Sequence, residues 1–197
     1  MEKISQSLND MFKNKKDPRV SKPDIWICPD NPKKYLIWPT NWVLKTNKVG
    51  VMMDKPNDIS LYSNIASKQL EEAREYYIKE IYPFGNQYPL RTVRDEEQKI
   101  FFDYFEKIIT AVILSYSALE ALANIFIPND FEVRKEEKSG LVKIWNKKAI
   151  EHTYTLKDKF KNVLTEVLST PDPSKEKWWA PFIILEELRN EIIHSKD

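Results

Sequence analysis

The end of the sequence, "LEELRNEIIHSKD", contains three polar residues that could act together on a phosphodiester: Arg189, Asn190 and His194. An imidazole can accept or donate a proton near neutral pH, and the planar guanidinium of arginine matches the oxygens of a phosphate group. Such a set could transfer protons beside a bound phosphate group without a metal ion. The alternative is an ordinary helix end, at which the helix dipole would stabilise an exposed histidine.

Helical geometry separates the two candidate catalytic residues. At 100° per residue, the side chains of Arg189 and His194 lie about 140° apart on a straight helix. Arg189 falls inside the predicted core face, where a cation needs a paired acceptor or a stem that reaches the rim. A bend, or a second copy of the helix, would be needed to bring both residues to one site. The predicted core face consists of Trp178, Pro181, Phe182, Leu185, Leu188 and Ile192.

A second polar feature runs along the most apolar segment of the chain, residues 95–127. Ser117, Glu120 and Asn124 share one strip of this predicted helix, in line with Asp103 and Thr110. The strip is either the solvent-facing edge of a bundle helix or a supporting polar surface beside a functional group. A buried Glu120 would need a cationic partner or a proton, and Arg189 is a candidate partner.

A charged segment before the last two helices offers a candidate surface for RNA. Basic residues that alternate with an aromatic ring can hold a phosphate backbone and stack a base. The acidic residues of the same segment, "FEVRKEEKSGLVKIWNKK", favour a solvated loop instead. The predicted RNA-binding residues are Lys143, Trp145, Lys147 and Lys148.

Composition excludes several classes of site. Three glycines cannot supply a glycine-rich phosphate loop, and one cysteine with two histidines gives no metal site, so no metal and no cofactor are expected. The net charge of +1 gives no global case for nucleic-acid binding.

The N-terminus lacks an apolar signal segment, and residues 108–127, which contain Glu120, are expected to be a buried helix rather than a membrane span. The predicted location is the cytoplasm.

Apolar periodicity and prolines divide the chain into an N-terminal arm, residues 1–58, and a helical bundle, residues 59–197. Six of the twelve prolines and three of the six tryptophans lie in residues 17–58, which predicts an irregular arm with room for one hairpin turning near 47–50. A short helix is predicted over residues 1–16. The fold class is therefore all-α, an up-and-down bundle with a Pro/Trp-rich, partly β N-terminal elaboration. The predicted bundle helices are 59–82, 95–127, 156–168 and 174–195, with an exposed mixed segment at 129–155.

Two stretches together resemble the HEPN superfamily. "RNEIIH" is similar to its Arg-Asn-x-x-x-His motif, and "ILSYSALEALANIFIP" is similar to its long helix; the resemblance covers residues 60–197. It implies an all-α bundle that dimerises with two motifs facing each other. Many such domains are metal-independent endoribonucleases that serve as toxins, antiphage factors or RNA-processing enzymes. Carried over, Arg189 and His194 are the catalytic pair, Asn190 orients them, and Glu120 matches a position that is often polar.

The resemblance implies RNA as substrate, a homodimer, and an antitoxin or regulatory protein as a further partner. The expected products carry a 2′,3′-cyclic phosphate and a 5′-hydroxyl. Two alternatives stay open: a non-catalytic HEPN-like module that binds a protein or nucleotide partner, and an unrelated helical protein in which the motif is accidental. Related domains usually continue beyond the motif, whereas this sequence stops at Asp197, so the domain is either minimal or a piece of a longer chain.

Overall fold

A computed structural model of the chain describes residues 17, 19, 24–27, 35–38, 41–45, 50–85, 93–136 and 138–194. The chain divides into two compact units, residues 1–64 and 65–197. The fold is mainly α, which confirms the predicted fold class. The helix predicted over residues 1–16 and residues 46–49 of the predicted turn lie outside the described residues.

The first unit contains two antiparallel hairpins rather than one. β1 (Asp24–Ile27) pairs with β2 (Tyr35–Trp38), and β3 (Asn41–Lys45) pairs with β4 (Gly50–Asp54). Prolines flank these strands in the sequence and keep them short, because proline cannot donate to a strand ladder. One hairpin was predicted and two are present. The strand β1 was missed because prolines lie close to it in the sequence.

Helix α1 (Asp58–Tyr76) begins at an asparagine cap, and further helical turns follow it past Pro83. The Asn57 side-chain oxygen accepts a hydrogen bond from the Ser60 backbone N–H at 3.1 Å, as helix caps do. After Tyr76 the chain forms a π-helical turn (Tyr77–Ile81) and then a short helix, α2 (Tyr82–Gly85). The prediction that Pro83 ends the helix was wrong. Pro83 lies within α2, which continues directly from the π-helical turn and ends at Gly85.

Helix α3 (Asp95–Phe126) matches its prediction closely. The Arg94 backbone N–H and guanidinium both donate to the Glu97 carboxylate, at 3.0 and 2.7 Å, which fixes the first turn. Ile127 is extended and Pro128 follows, so the helix ends there. By length and composition α3 could also cross a membrane, although a core helix passes the same test. Its apolar part, residues 108–127, is less buried than predicted: Ile109, Ile125 and Phe126, for example, are exposed.

The segment predicted as mixed and loop-like, residues 129–155, contains a hairpin and a helix. β5 (Glu132–Glu136) pairs with β6 (Val142–Asn146), and α4 (Lys147–Thr153) follows directly. The Asn146 side chain caps α4 by accepting the Ala149 N–H at 3.0 Å. The hairpin was missed because its charged residues obscure a two-residue alternation over only five positions.

The predicted helix 156–168 is confirmed, with a π-helical turn inside it. It consists of α5 (Leu156–Asp158), the π-helical turn Lys159–Val163 and α6 (Leu164–Leu168). Ser169 ends it in the left-handed region, at φ 51°. Between α6 and the last helix lies a single 3₁₀ turn, Pro173–Lys175.

Helix α7 (Trp179–Ile193) packs against the core on a face different from the predicted one. Phe182 is buried, and Leu185 and Ile192 are half-buried as predicted. Pro181 and Leu188 are exposed, so the prediction was wrong for these two. Trp178 is partly exposed, but its ring packs against Phe160 and Phe182. The arc that packs is centred closer to Phe182, and Arg189 lies within it. The core of the second unit consists of Tyr116, Ala123, Ile127, Ile150, Leu156, Val163, Leu164 and Phe182.

Candidate functional site

Arg189 lies half-buried on α7, against an aromatic ring of α3. Its guanidinium carbon is 5.0 Å from the centroid of the Tyr116 ring, which is the geometry of a cation–π contact. One of its terminal nitrogens donates to the side-chain oxygen of Asn190 at 3.0 Å. A cation is tolerated inside the packed arc of α7 because the ring and the amide replace water around it. Asn190 therefore contacts the Arg189 side chain, and its predicted role in orienting both Arg189 and His194 stays a prediction.

Tyr116 connects Arg189 to an acidic neighbour. Its hydroxyl donates to the Glu186 carboxylate at 3.5 Å, the outer limit of a hydrogen bond, and only 8% of the residue is exposed. Burial raises the pKa of Tyr116 to about 12, and the Glu186 carboxylate adds to the rise. The phenol therefore stays protonated at neutral pH, where it can donate a hydrogen bond but cannot act as a base.

His194 lies at the C-terminal end of α7. Its backbone N–H donates to the Asn190 carbonyl at 2.9 Å, and its φ of −116° takes the chain out of the helix. The side chain is exposed and has no hydrogen-bonding or charged partner among the described residues. Within one chain the structure thus joins Arg189 to Asn190, whereas no contact joins Arg189 to His194 in the part it describes.

Glu120 pairs with a buried lysine that the sequence analysis did not single out. The Lys159 ammonium lies 3.6 Å from the Glu120 carboxylate, and Lys159 is fully buried. The same ammonium donates to the Asn124 side-chain oxygen at 3.0 Å and to the Glu151 carbonyl at 2.8 Å. The prediction that Arg189 partners Glu120 was wrong, because the cation at the level of Glu120 is Lys159, on the π-helical turn.

The sequence does carry a signal for this lysine. Lys159 comes three residues after Leu156 and four before Val163, and both of these apolar residues are buried. A lysine inside such a stripe is expected to reach a buried acceptor, since an ammonium without partners is costly in the core. Asn124 and Glu120, which lie on one face of α3, are the side-chain acceptors that such a lysine needs.

The polar strip of α3 is partly exposed to solvent, since the Glu120 side chain is 44% exposed, and its members do not form one continuous site. Ser117 donates to the carbonyl of Ile113 on its own helix at 2.9 Å, and Thr110 does the same to Glu106 at 2.7 Å. Only Glu120 and Asn124 interact with Lys159. The Glu120 carboxylate also contributes to the raised pKa of Tyr116.

The predicted RNA-binding residues are divided between a strand and a helix. Lys143 and Trp145 lie on β6; Lys147 is 3.9 Å from the Glu151 carboxylate on α4, and Lys148 is exposed. Trp145 lines a cavity of about 480 Å³ between the hairpin and the helices that follow it. The structure therefore brings Trp145 to a concave surface and leaves Lys147 and Lys148 outside its lining.

No group of histidine, cysteine, aspartate or glutamate side chains suited to a metal ion occurs among the described residues. No protein-family model matches the chain, and no curated protein or solved structure is significantly similar to it.

Proposed function

We propose that the protein is a metal-independent endoribonuclease of the HEPN type, active as a cytoplasmic homodimer in a toxin or antiphage role. The observation that supports the proposal is the position of the Arg189 guanidinium. Its guanidinium is positioned by the Tyr116 ring and the Asn190 amide, on the same helix end that presents an exposed His194. A fixed cation and an accessible imidazole are the groups that metal-free RNA cleavage requires.

The reaction transfers two protons. The 2′-oxygen attacks the adjacent phosphorus while one imidazole takes the 2′-hydroxyl proton. The bond from phosphorus to the 5′-oxygen breaks, and an imidazolium protonates that leaving oxygen. Two copies of His194 divide these roles, and Arg189 stabilises the charge on the non-bridging oxygens. The products are a 2′,3′-cyclic phosphate and a 5′-hydroxyl.

A second copy of α7 supplies the other histidine in this proposal. Ile184 and Leu188 lie one turn apart on α7 and are 56% and 43% exposed. Exposed apolar residues at this spacing suit packing against another helix. Mass measurement in solution should give a dimer for the wild type, and the double variant Ile184→Glu/Leu188→Glu should give a monomer. A variant that stays dimeric would remove α7 as the interface.

The primary experiment measures cleavage of single-stranded RNA in excess EDTA. His194→Ala and Arg189→Ala should each lower the rate at least about a hundredfold, since acid–base catalysis contributes about 10²–10⁴. His152→Ala is the matched control, because His152 is an exposed histidine on α4. The new 5′ ends should accept phosphate from a polynucleotide kinase without prior dephosphorylation. Undiminished cleavage in both alanine variants would refute the assignment.

Mixed dimers test whether the two copies share one site. Subunits carrying Arg189→Ala and subunits carrying His194→Ala are each inactive alone in the proposal. When the two are co-refolded, the mixed dimer retains one Arg189 but only one His194, so it lacks either the acid or the base and should cleave no faster than the single variants. Recovery of cleavage in the mixed dimer would contradict division of the acid and base roles between two His194 copies.

A second candidate function is a non-catalytic binding module for a protein or nucleotide partner. The observation that favours it is that Arg189 is already engaged by Tyr116 and Asn190, while His194 makes no contact with that group in the described chain. Expression in cells separates the two. Growth arrest relieved by His194→Ala supports the toxin, whose neutralising antitoxin or regulatory protein is then the expected partner. A dimer that neither arrests growth nor cuts RNA supports the binding module.

A further inference from the structure

A cavity of about 480 Å³ lies between the β5–β6 hairpin and the helical segment from α4 to α6. This volume falls within the range of small-molecule sites, about 300–1,000 Å³. Two aromatic rings form one part of its wall: the Trp145 and Tyr154 rings meet edge to face, with centroids 6.0 Å apart. Val133 and Val163 also line it. The cavity can therefore cover the apolar part of a small ligand.

The charged side chains of the lining carry a net negative charge. Asp158 and Glu166 supply two carboxylates, against the one ammonium of Lys135. In the part of the chain that the structure describes, neither carboxylate forms an ion pair with a lysine or an arginine. The two oxygens of Asp158 accept hydrogen bonds from neutral groups, the Thr155 hydroxyl at 2.7 Å and the Asn162 amide at 3.5 Å. The lining therefore has negative charge with which a cationic ligand can pair.

The two carboxylates are spaced along one side of the helical segment. Asp158, Asn162 and Glu166 follow one another at intervals of four residues, and all three line the cavity. The carboxylate positions are thus eight residues apart, which is roughly 12 Å along a helix axis. A ligand with two or more ammonium groups separated by methylene segments can place one group near each carboxylate.

The aromatic wall adds to the attraction for a cation. Burial raises the pKa of Tyr154, and the Asp158 carboxylate adds to the rise, so the phenol is uncharged at neutral pH and lies close to a carboxylate. An organic cation gains from the negative face of an aromatic ring as well as from a carboxylate. An inorganic cation could pair with the carboxylates but would leave the apolar wall uncovered. An anion would meet a net negative lining.

We infer that this cavity binds an aliphatic ammonium ligand, either a free polyamine or the lysine side chains of a basic peptide. The methylene segments lie against Trp145 and Val133, and the ammonium groups pair with Asp158 and Glu166. Lys135 opposes binding, and because it is exposed, its side chain can turn toward solvent. Binding here is independent of the proposed ribonuclease, since no residue of α7 lines the cavity.

The test titrates the full chain at low salt and follows binding by calorimetry. The probes are butylamine, spermidine, a ten-residue lysine-rich peptide and magnesium chloride. Spermidine carries several ammonium groups and should bind more tightly than butylamine, which carries one. The free source is supported if spermidine binds more tightly than the peptide, and the peptide source if the order is reversed. Absence of binding by both overturns the inference, as does magnesium binding as tight as that of spermidine, because charge alone would then explain the affinity.

Single variants assign the contacts. Asp158→Asn and Glu166→Gln should each weaken binding of spermidine about fivefold, the upper end for a partly exposed ion pair. Lys135→Ala should tighten binding about twofold, because a like charge leaves the lining. Trp145→Leu should weaken binding about fivefold, and Trp145→Phe should restore most of the affinity, since phenylalanine keeps an aromatic face.

Two matched controls separate the cavity from general surface charge. Glu176→Gln and Lys148→Ala change exposed residues outside the lining and should leave the affinity for spermidine unchanged. Weaker binding by Lys135→Ala, or equal effects of Glu166→Gln and Glu176→Gln, would overturn the inference.

The same titrations separate this cavity from the candidate catalytic residues. Spermidine binding that is unchanged in His194→Ala and weakened in Glu166→Gln assigns the ligand to the cavity, whether or not the protein cuts RNA. Binding that is lost in His194→Ala and unchanged in Glu166→Gln would place the ligand at the end of α7 and overturn the inference. RNA cleavage lost in His194→Ala tests the ribonuclease alone, because His194 does not line the cavity.

Discussion

Replacing Lys159 by methionine should destabilise the second unit because two buried acceptors lose their donor. Methionine keeps an unbranched apolar stem of similar length and removes the ammonium. The Asn124 side-chain oxygen and the Glu151 carbonyl, 3.0 and 2.8 Å from that ammonium, then have no replacement. An unsatisfied buried acceptor costs about 1–3 kcal/mol, and because both acceptors are only part-buried, the free energy of unfolding should fall by about 2–4 kcal/mol, the lower part of the range for two.

The ion pair with Glu120 contributes less than these hydrogen bonds. The Glu120 side chain is 44% exposed and 3.6 Å from the ammonium, so water can solvate it once the lysine is gone. Such a pair is worth about 0–1 kcal/mol, and Glu120→Gln should change the stability by no more than that. Lys159→Ala also removes three methylene groups, at about 0.8 kcal/mol each, and should be about 2 kcal/mol worse than Lys159→Met.

Urea denaturation followed by circular dichroism measures these changes. Lys161→Met is the matched control: Lys161 is an exposed lysine of the same π-helical turn, and its substitution should stay within about 0.5 kcal/mol of the wild type. A double-mutant cycle of Lys159→Met with Asn124→Ala should show a coupling of at least about 1 kcal/mol. If Lys159→Met is as stable as the wild type, the desolvation of the ammonium outweighs its hydrogen bonds and the reasoning is refuted.

Two further predictions concern single residues of the second unit. Because burial raises the pKa of Tyr116 to about 12, its contribution to stability is complete below the pKa of an unfolded tyrosine, about 10, and is lost as the pH rises toward 12. Ultraviolet titration should show one tyrosine ionising last, and Tyr116→Phe should remove that step; full ionisation of all tyrosines near pH 10 in the folded protein would contradict it. Ser169→Gly should raise the free energy of unfolding by about 1 kcal/mol, because glycine adopts the left-handed conformation found at φ 51° without the strain of a Cβ. A thermal or urea midpoint that falls on this substitution would contradict that reasoning.

Element positions could be predicted where one strong signal governed a long segment. Residues 95–127 were predicted as a helix because acidic residues open a near-continuous apolar run and Pro128 closes it, and α3 follows those limits. The β5–β6 hairpin could not be predicted in the same way. Its strands are five residues long and only one face packs, so the alternation is too brief to outweigh the charged residues between Val133 and Trp145.

Positions on a single helix could be predicted, whereas contacts between helices could not. Arg189 was expected within the packed arc of α7, and it is there; its aromatic partner Tyr116 was not foreseen, because spacing on one helix does not show which side chain of another helix it meets. The pairing of Glu120 with Lys159 was missed for the same reason. Two π-helical turns, Tyr77–Ile81 and Lys159–Val163, made the contacts harder to predict. They change the direction of side chains in a way that a 3.6-residue period does not describe.

An anion that binds Arg189 must offset the loss of the contact between its guanidinium and the Tyr116 ring. If an anion draws the guanidinium away from the ring, a contact worth about 0.5–2 kcal/mol is lost, and the face of the Tyr116 ring is uncovered. A weakly bound monovalent ion such as chloride gains too little to offset that loss. A phosphate or carboxylate that forms two parallel hydrogen bonds with the guanidinium can offset it. The Tyr116 contact therefore predicts that a ligand that binds the guanidinium in a bidentate manner is favoured over a monovalent ion.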